Sequence, residues 1–150
     1  MATNKTAPIR RPGGTGYHRL KHAACGYAIG MVVHGGDHAF RGLTGDTHHA
    51  TWPGSVQLVM ATLTLVISAF TVVLAFSGHR YASAAAMVIG FGSAAVFLLI
   101  HMLPGWGAFN DSFVSAPSGS RITPFSWVTA VVGISASVAL GLAGVRARHR

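Results

Sequence analysis

Four long apolar stretches alternate with short polar segments along the chain, at about residues 19–43, 53–77, 81–103 and 124–145. Each stretch supplies the roughly 20 residues that a helix needs to cross a ~30 Å hydrocarbon core. Small and weakly polar residues recur in each at spacings of three and four, which keeps them on one helix face. The series include Ala23, Tyr27, Gly30 and His34 in the first stretch, Gln57, Ala61, Thr64, Ser68 and Thr71 in the second, and Ser126, Ala130, Gly133, Ser137, Leu140 and Gly144 in the fourth. Such faces favour close helix–helix contact in lipid. The pattern therefore predicts an all-α fold, a four-helix transmembrane bundle.

Charged residues are few and lie mostly outside the apolar stretches. Only 9% of the residues are charged and mean hydropathy is +0.49, whereas soluble domains carry roughly 25% charged residues. The division predicts a flexible basic tail over 1–18, a membrane domain over 19–145 and a second basic tail over 146–150. The single cysteine, Cys25, excludes an internal disulfide.

The basic residues predict the orientation of the chain. If the N-terminus is cytoplasmic, nine of the 11 Lys and Arg residues fall on the inner side, and only Arg41 and Arg121 fall on the outer side. This bias predicts a multi-pass plasma-membrane protein with both termini in the cytoplasm. The net charge of +8 is then a sign of contact with the lipid bilayer rather than with nucleic acid. Other membrane proteins, or further copies of the chain, are the remaining partners we expect.

Ionisable residues interrupt the outer half of the first stretch, and at membrane depth such residues predict a functional site. His34, Asp37 and Arg41 share one helix face, and His38 is one turn beyond His34. At 1.5 Å per residue, His34 lies about 18 Å above His22, near which the first span enters the membrane. Gln57 and His101 lie near the outer ends of the second and third stretches, at depths that overlap with those of the first. The candidate site therefore comprises His34, Asp37, His38, Arg41, Gln57 and His101.

The candidate site can be interpreted as a structural network or as a metal-binding site. In the structural one, Asp37 and Arg41 form an acid-first i, i+4 pair and the histidines hydrogen-bond within the bundle. In the metal-binding one, His34, His38 and His101 bind a transition metal, because neutral imidazole suits Zn, Cu, Fe and Ni.

Two further interpretations stay open. Haem b is a possible cofactor, held between His34 or His38 and His101, because helical bundles can enclose such a group. The outer histidines also suit pH sensing. A proton path across the whole membrane has little support, since the inner half offers only serine and threonine.

The long loop 104–124 is predicted to lie over His101 as a lid or to anchor the chain at the interface.

Short motifs along the chain resemble those of a group of small four-span membrane proteins from actinobacteria. The matching segments are His34-Gly-Gly-Asp-His-x-x-Arg-Gly42, Trp52-Pro-Gly54, His101-x-Leu-Pro-x-Trp106 and Phe109-x-Asp-Ser-Phe113. The resemblance covers about residues 20–145 and implies the four-span fold, but no activity.

The sequence contains no nucleophile elbow, phosphate loop or zincin motif. We therefore expect a non-enzymatic accessory or structural membrane protein with a polar cluster in the outer leaflet. The alternatives are a metal- or haem-binding protein in electron transfer or metal handling, and a transporter or channel subunit.

Overall fold

The computed structural model describes residues 15–43, 54–104, 111–116 and 118–149. Four α-helices follow one another along the chain: α1 Thr15–Leu43, α2 Gly54–Ser77, α3 Ala82–Phe97 and α4 Pro124–Arg148. A π-helical turn, Leu98–Met102, continues α3. Within the described ranges there is no β-strand, so the predicted all-α class is confirmed.

Local sequence signals fix two of the helix boundaries. Pro124 lies in the first turn of α4, where its missing N–H costs nothing. Thr123 and Ser126 form a capping box, with 3.4 Å from Ser126 N to Thr123 Oγ1 and 3.2 Å from Thr123 N to Ser126 Oγ. After α2 the chain turns at Gly78, whose φ of 70° is costly for any residue with a Cβ.

Neighbouring helices pack antiparallel, with close backbone approach at glycines. A Cβ on Gly30 of α1 would lie 3.4 Å from Ala136 of α4. A Cβ on Gly90 of α3 would collide with the backbone of Gly141 on α4. The small-residue face predicted for α4 is buried throughout; its members are Ser126, Ala130, Gly133, Ser137, Leu140 and Gly144.

The face predicted for α2 packs only in part. Ser68 and Thr71 are buried, whereas Ala61 is exposed and Thr64 is half-buried. From Leu58 to Ile67 the other residues are exposed on all sides of the helix. The C-terminal half of α2 therefore holds it to the other helices, and its N-terminal half stands apart from them.

Three helical segments are long and apolar enough to cross a membrane: Leu58–Ser77, Ala82–Met102 and Pro124–Arg148. The chain is therefore suited to cross a membrane several times. Helix α1 has 29 residues but carries four charged side chains. Its outward-facing residues include Ile29, Val32 and Phe40, which are 61–64% exposed.

Candidate functional site

Three histidine side chains from two helical segments meet at the end of the bundle where α1 ends and α4 begins. The Nε2 atom of His34 lies 2.9 Å from Nε2 of His38 and 3.1 Å from Nε2 of His101. All three ligand atoms lie within 4.8 Å of one another. We call these three residues the histidine cluster.

The positions of the histidines follow from helix geometry. His34 and His38 are four residues apart, so their rings lie one turn apart on the same side of α1. His101 lies in the π-helical turn, a wider turn that changes the direction of the side chains that follow it. His34 and His101 are 5% and 4% exposed.

The segment that begins at Asp111 folds back onto the π-helical turn. Asp111 N donates to Ile100 O at 3.2 Å, and Phe113 N donates to His101 O at 2.8 Å. These bonds bring both the main-chain oxygen and the carboxylate of Asp111 against the His101 ring. The Nδ1 atom of His101 is 3.2 Å from Asp111 O and 3.3 Å from Asp111 Oδ2.

A buried charged network lies beside the histidine cluster. Arg41 donates from Nε to Asp37 Oδ2 at 3.2 Å and from Nη2 to Asp111 Oδ2 at 2.8 Å. Ser126 of α4 donates to Asp37 Oδ1 at 2.9 Å. The side chains of Asp37, Arg41 and Asp111 are at most 2% exposed. The network therefore connects α1 to α4 and to the outer loop.

Hydrogen-bond partners define the proton positions on two of the rings. Thr129 donates its hydroxyl proton to Ser126 O at 2.9 Å, so its oxygen accepts from His34 Nδ1 at 3.2 Å. Both atoms of Asp111 that face His101 Nδ1 are acceptors. In this arrangement the neutral rings of His34 and His101 carry their protons on Nδ1, and each Nε2 presents a lone pair.

The third ring has the opposite tautomer. A guanidinium only donates hydrogen bonds, so His38 Nδ1 accepts from Arg41 Nη2 at 3.1 Å. The proton of His38 is then on Nε2 and is donated to His34 Nε2. In this arrangement neither His34 Nε2 nor His101 Nε2 carries a proton of its own, although the two atoms lie 3.1 Å apart.

Aromatic rings enclose the histidine cluster. The centroid of Phe97 lies 4.7 Å from that of His34, and the centroid of Phe113 lies 4.9 Å from that of His101. The side chain of His38 is 30% exposed, so the cluster is open to its surroundings on that side.

No protein-family model, curated protein or solved structure matches the chain. The functional interpretation therefore rests on the geometry of the site.

The structure brings together five of the six predicted site residues, those on α1 and the π-helical turn. The side chain of the sixth, Gln57, lies outside the described part of the chain, although its backbone belongs to α2. Sequence reasoning did not assign Asp111, Ser126 and Thr129 to the site. Ser126 had a signal, its place on the small-residue face of α4, but that face alone does not identify the helix it meets.

Proposed function

We propose that this is a four-span membrane protein that binds one divalent transition-metal ion at the histidine cluster. Helix α1 is the fourth span, since its buried Asp37 and Arg41 satisfy each other and its outward side chains are apolar. Both termini lie in the cytoplasm of a plasma-membrane protein, in agreement with the distribution of Lys and Arg. The histidine cluster is then in the outer leaflet.

The contact between His34 Nε2 and His101 Nε2 is the observation that carries the metal proposal. Two unprotonated ring nitrogens at 3.1 Å repel each other unless a proton or a metal ion lies between them. A metal ion accepts both lone pairs, while the two histidines keep their Nδ1 protons and continue to donate them to Thr129 and Asp111. Metal-bound histidines commonly donate their second ring N–H to a carboxylate or carbonyl in this way.

The nitrogen–nitrogen distances are compatible with a tetrahedral ion such as Zn²⁺ and too short for a linear one. With metal–nitrogen bonds of about 2.0 Å, tetrahedral ligands are separated by about 3.3 Å and linear ligands by about 4 Å. The observed 2.9 and 3.1 Å lie closer to the tetrahedral value. Movements of a few tenths of an ångström at each ring would suffice.

His38 is the ligand that must change its tautomer. As a ligand it must free Nε2 and carry its proton on Nδ1, which now accepts from Arg41. Asp111 Oδ2 lies 3.6 Å from that atom and can accept the proton after a small rotation. We therefore propose that His34 and His101, whose Nε2 atoms are already unprotonated, bind the ion as a pair. His38 completes the three-histidine site after its tautomer changes.

Haem b is less compatible with this geometry. A haem between two histidines needs their Nε2 atoms about 4 Å apart with a flat ring between them, taking about 2.0 Å for each metal–nitrogen bond. The space beside the 3.1 Å pair is filled by His38 and Phe97.

The alternative function is a purely structural one. If the Thr129 hydroxyl turned from Ser126 O to donate to His34 Nδ1, His34 could donate from Nε2 to His101 Nε2, provided that His38 moved its own proton from Nε2 to Nδ1. The network of Asp37, Arg41 and Asp111 would stabilise the bundle in either case. In both functions the protein acts without catalysis, as an accessory or metal-handling component of the membrane.

Zinc binding to the purified protein tests the proposal. Apo protein in mild detergent should bind one Zn²⁺ per chain in a chelator competition, and His34→Ala and His101→Ala should each abolish binding. His22→Ala is the matched control, because His22 is on the same helix, exposed and bonded only to His18 O. Thermal unfolding of each variant separates loss of binding from loss of fold. Well-folded wild-type protein that binds no metal would support the structural alternative.

A further inference from the structure

The end of the bundle opposite the histidine cluster is strongly basic. There α1 and α3 begin and α2 and α4 end, because neighbouring helices are antiparallel. The cations in this part of the described structure are Arg19, Lys21, Arg80, Arg146 and Arg148. The two acids among the described residues, Asp37 and Asp111, are both in the network at the other end. We call this region the basic end.

At the basic end Lys21 is held against the seam between α1 and α2. Its Nζ atom lies 5.6 Å from the ring centroid of Tyr17 and 5.3 Å from that of Phe76. Tyr17 in turn donates to Leu74 O, at the end of α2, at 3.4 Å. Aromatic rings orient an ammonium without neutralising it, so its charge remains available to an anion.

A second cation lies just after the end of α2. Arg80 comes four residues after Phe76, and its guanidinium lies 4.6 Å from the ring centroid of Tyr81. The turn between them is fixed by the bond from His79 N to Leu74 O at 3.2 Å. Lys21 and Arg80 therefore flank the end of α2, each oriented by an aromatic ring.

An apolar surface leads from these cations toward the middle of α2. Phe70, Val73 and Phe76 share one face and are 56%, 60% and 50% exposed. An anion that also has an acyl chain can contact both the cations and this face. A soluble anion without an acyl chain would contact only the cations.

We propose that the seam between α1 and α2 at the basic end binds an anionic phospholipid, with its phosphate headgroup on Lys21 and Arg80. The acyl chains then lie along Phe70, Val73 and Phe76. This site is separate from the histidine cluster and does not depend on metal binding.

Native mass spectrometry of the detergent-solubilised protein tests the lipid site. Phosphatidylglycerol and phosphatidylcholine with identical acyl chains are added in turn, and the retained lipid is counted. We expect preferential retention of phosphatidylglycerol, reduced about fivefold for each cation removed by Lys21→Gln or Arg80→Gln. Arg121→Gln, which removes an exposed cation at the opposite end, is the matched control and should retain the lipid.

Two outcomes would overturn the lipid proposal. One is equal retention of both lipids, or unchanged retention of phosphatidylglycerol in the Lys21→Gln, Arg80→Gln double variant. The other is complete displacement by soluble glycerol phosphate, which would show that the seam recognises a free phosphate rather than a lipid. Thermal unfolding of the double variant shows whether a lost signal reflects lost folding.

Discussion

His34 and His101 face each other through Nε2 atoms 3.1 Å apart, while the Nδ1 atom of each ring faces hydrogen-bond acceptors. This relationship joins α1 to the π-helical turn and is the basis of the proposed metal site. The outer partners of both rings agree with that proposal, because they accept from Nδ1 and so leave Nε2 available as a ligand.

Asp111 should control the metal affinity through the histidines that it contacts. In Asp111→Asn the side chain loses its charge and can present an N–H to His101 Nδ1 or His38 Nδ1. We expect zinc affinity to fall about 10- to 100-fold, as for other outer partners of metal ligands. Chelator competition measures this change, and Ser112→Ala serves as the control from the same segment. Unchanged affinity in Asp111→Asn would remove Asp111 from the site.

Arg41 should be essential for stability, because it forms ion pairs with two buried carboxylates. Its side chain is 1% exposed, and Arg41→Met leaves Asp37 and Asp111 without this counter-charge. We expect a loss of about 3–5 kcal/mol in the free energy of unfolding. Adding Asp37→Asn and Asp111→Asn to this variant should restore much of the loss. Denaturation in mixed micelles measures both effects, and exposed Arg121→Met is the control.

Close packing of α3 on α4 should make Gly90 intolerant of any side chain. A Cβ there would lie 2.7 Å from Ser137 O and collide with Gly141 N, whereas a Cβ on Gly92 would meet nothing within 4 Å. We expect Gly90→Ala to cost about 1–3 kcal/mol through overpacking. Gly92→Ala, two residues along the same helix, should leave the melting temperature unchanged. Equal melting temperatures for the two variants would contradict the described packing of α3 on α4.

The proposed topology can be checked by labelling introduced cysteines in whole cells. In a Cys25→Ala background, Ser118→Cys should react with a membrane-impermeant maleimide from outside. Arg148→Cys should react only after the membrane is permeabilised. Both positions are exposed in the structure, so access rather than burial decides the result. The reverse pattern would invert the orientation.

Much of the fold was predictable from helical periodicity. The small residues of α4 recur at spacings of three and four, and the predicted face is the buried face. The same spacing placed Tyr27, Gly30 and His34 on the buried side of α1. The face of α2 was predicted less well, because Ala61 and Thr64 carry a packing pattern in a half of the helix that stands apart from the others.

The candidate site was predictable only where one helix determines it. The i, i+4 spacing brings His34 to His38, and matched depth brings His101 to the same level. The role of Asp111 depends on a loop that folds back onto the π-helical turn through bonds to Ile100 and His101. The contact of Thr129 with His34 depends on which helices are neighbours, and periodicity within one helix carries no such information.

X-ray absorption at the zinc K-edge of the loaded protein tests the metal proposal most directly. We expect one zinc per chain with imidazole nitrogens at about 2.0 Å, three of them in the wild type and fewer in His38→Ala. A protein that folds and yet holds no stoichiometric zinc would contradict the proposal. A shell made of oxygen ligands without imidazole would place the ion elsewhere and contradict it as well.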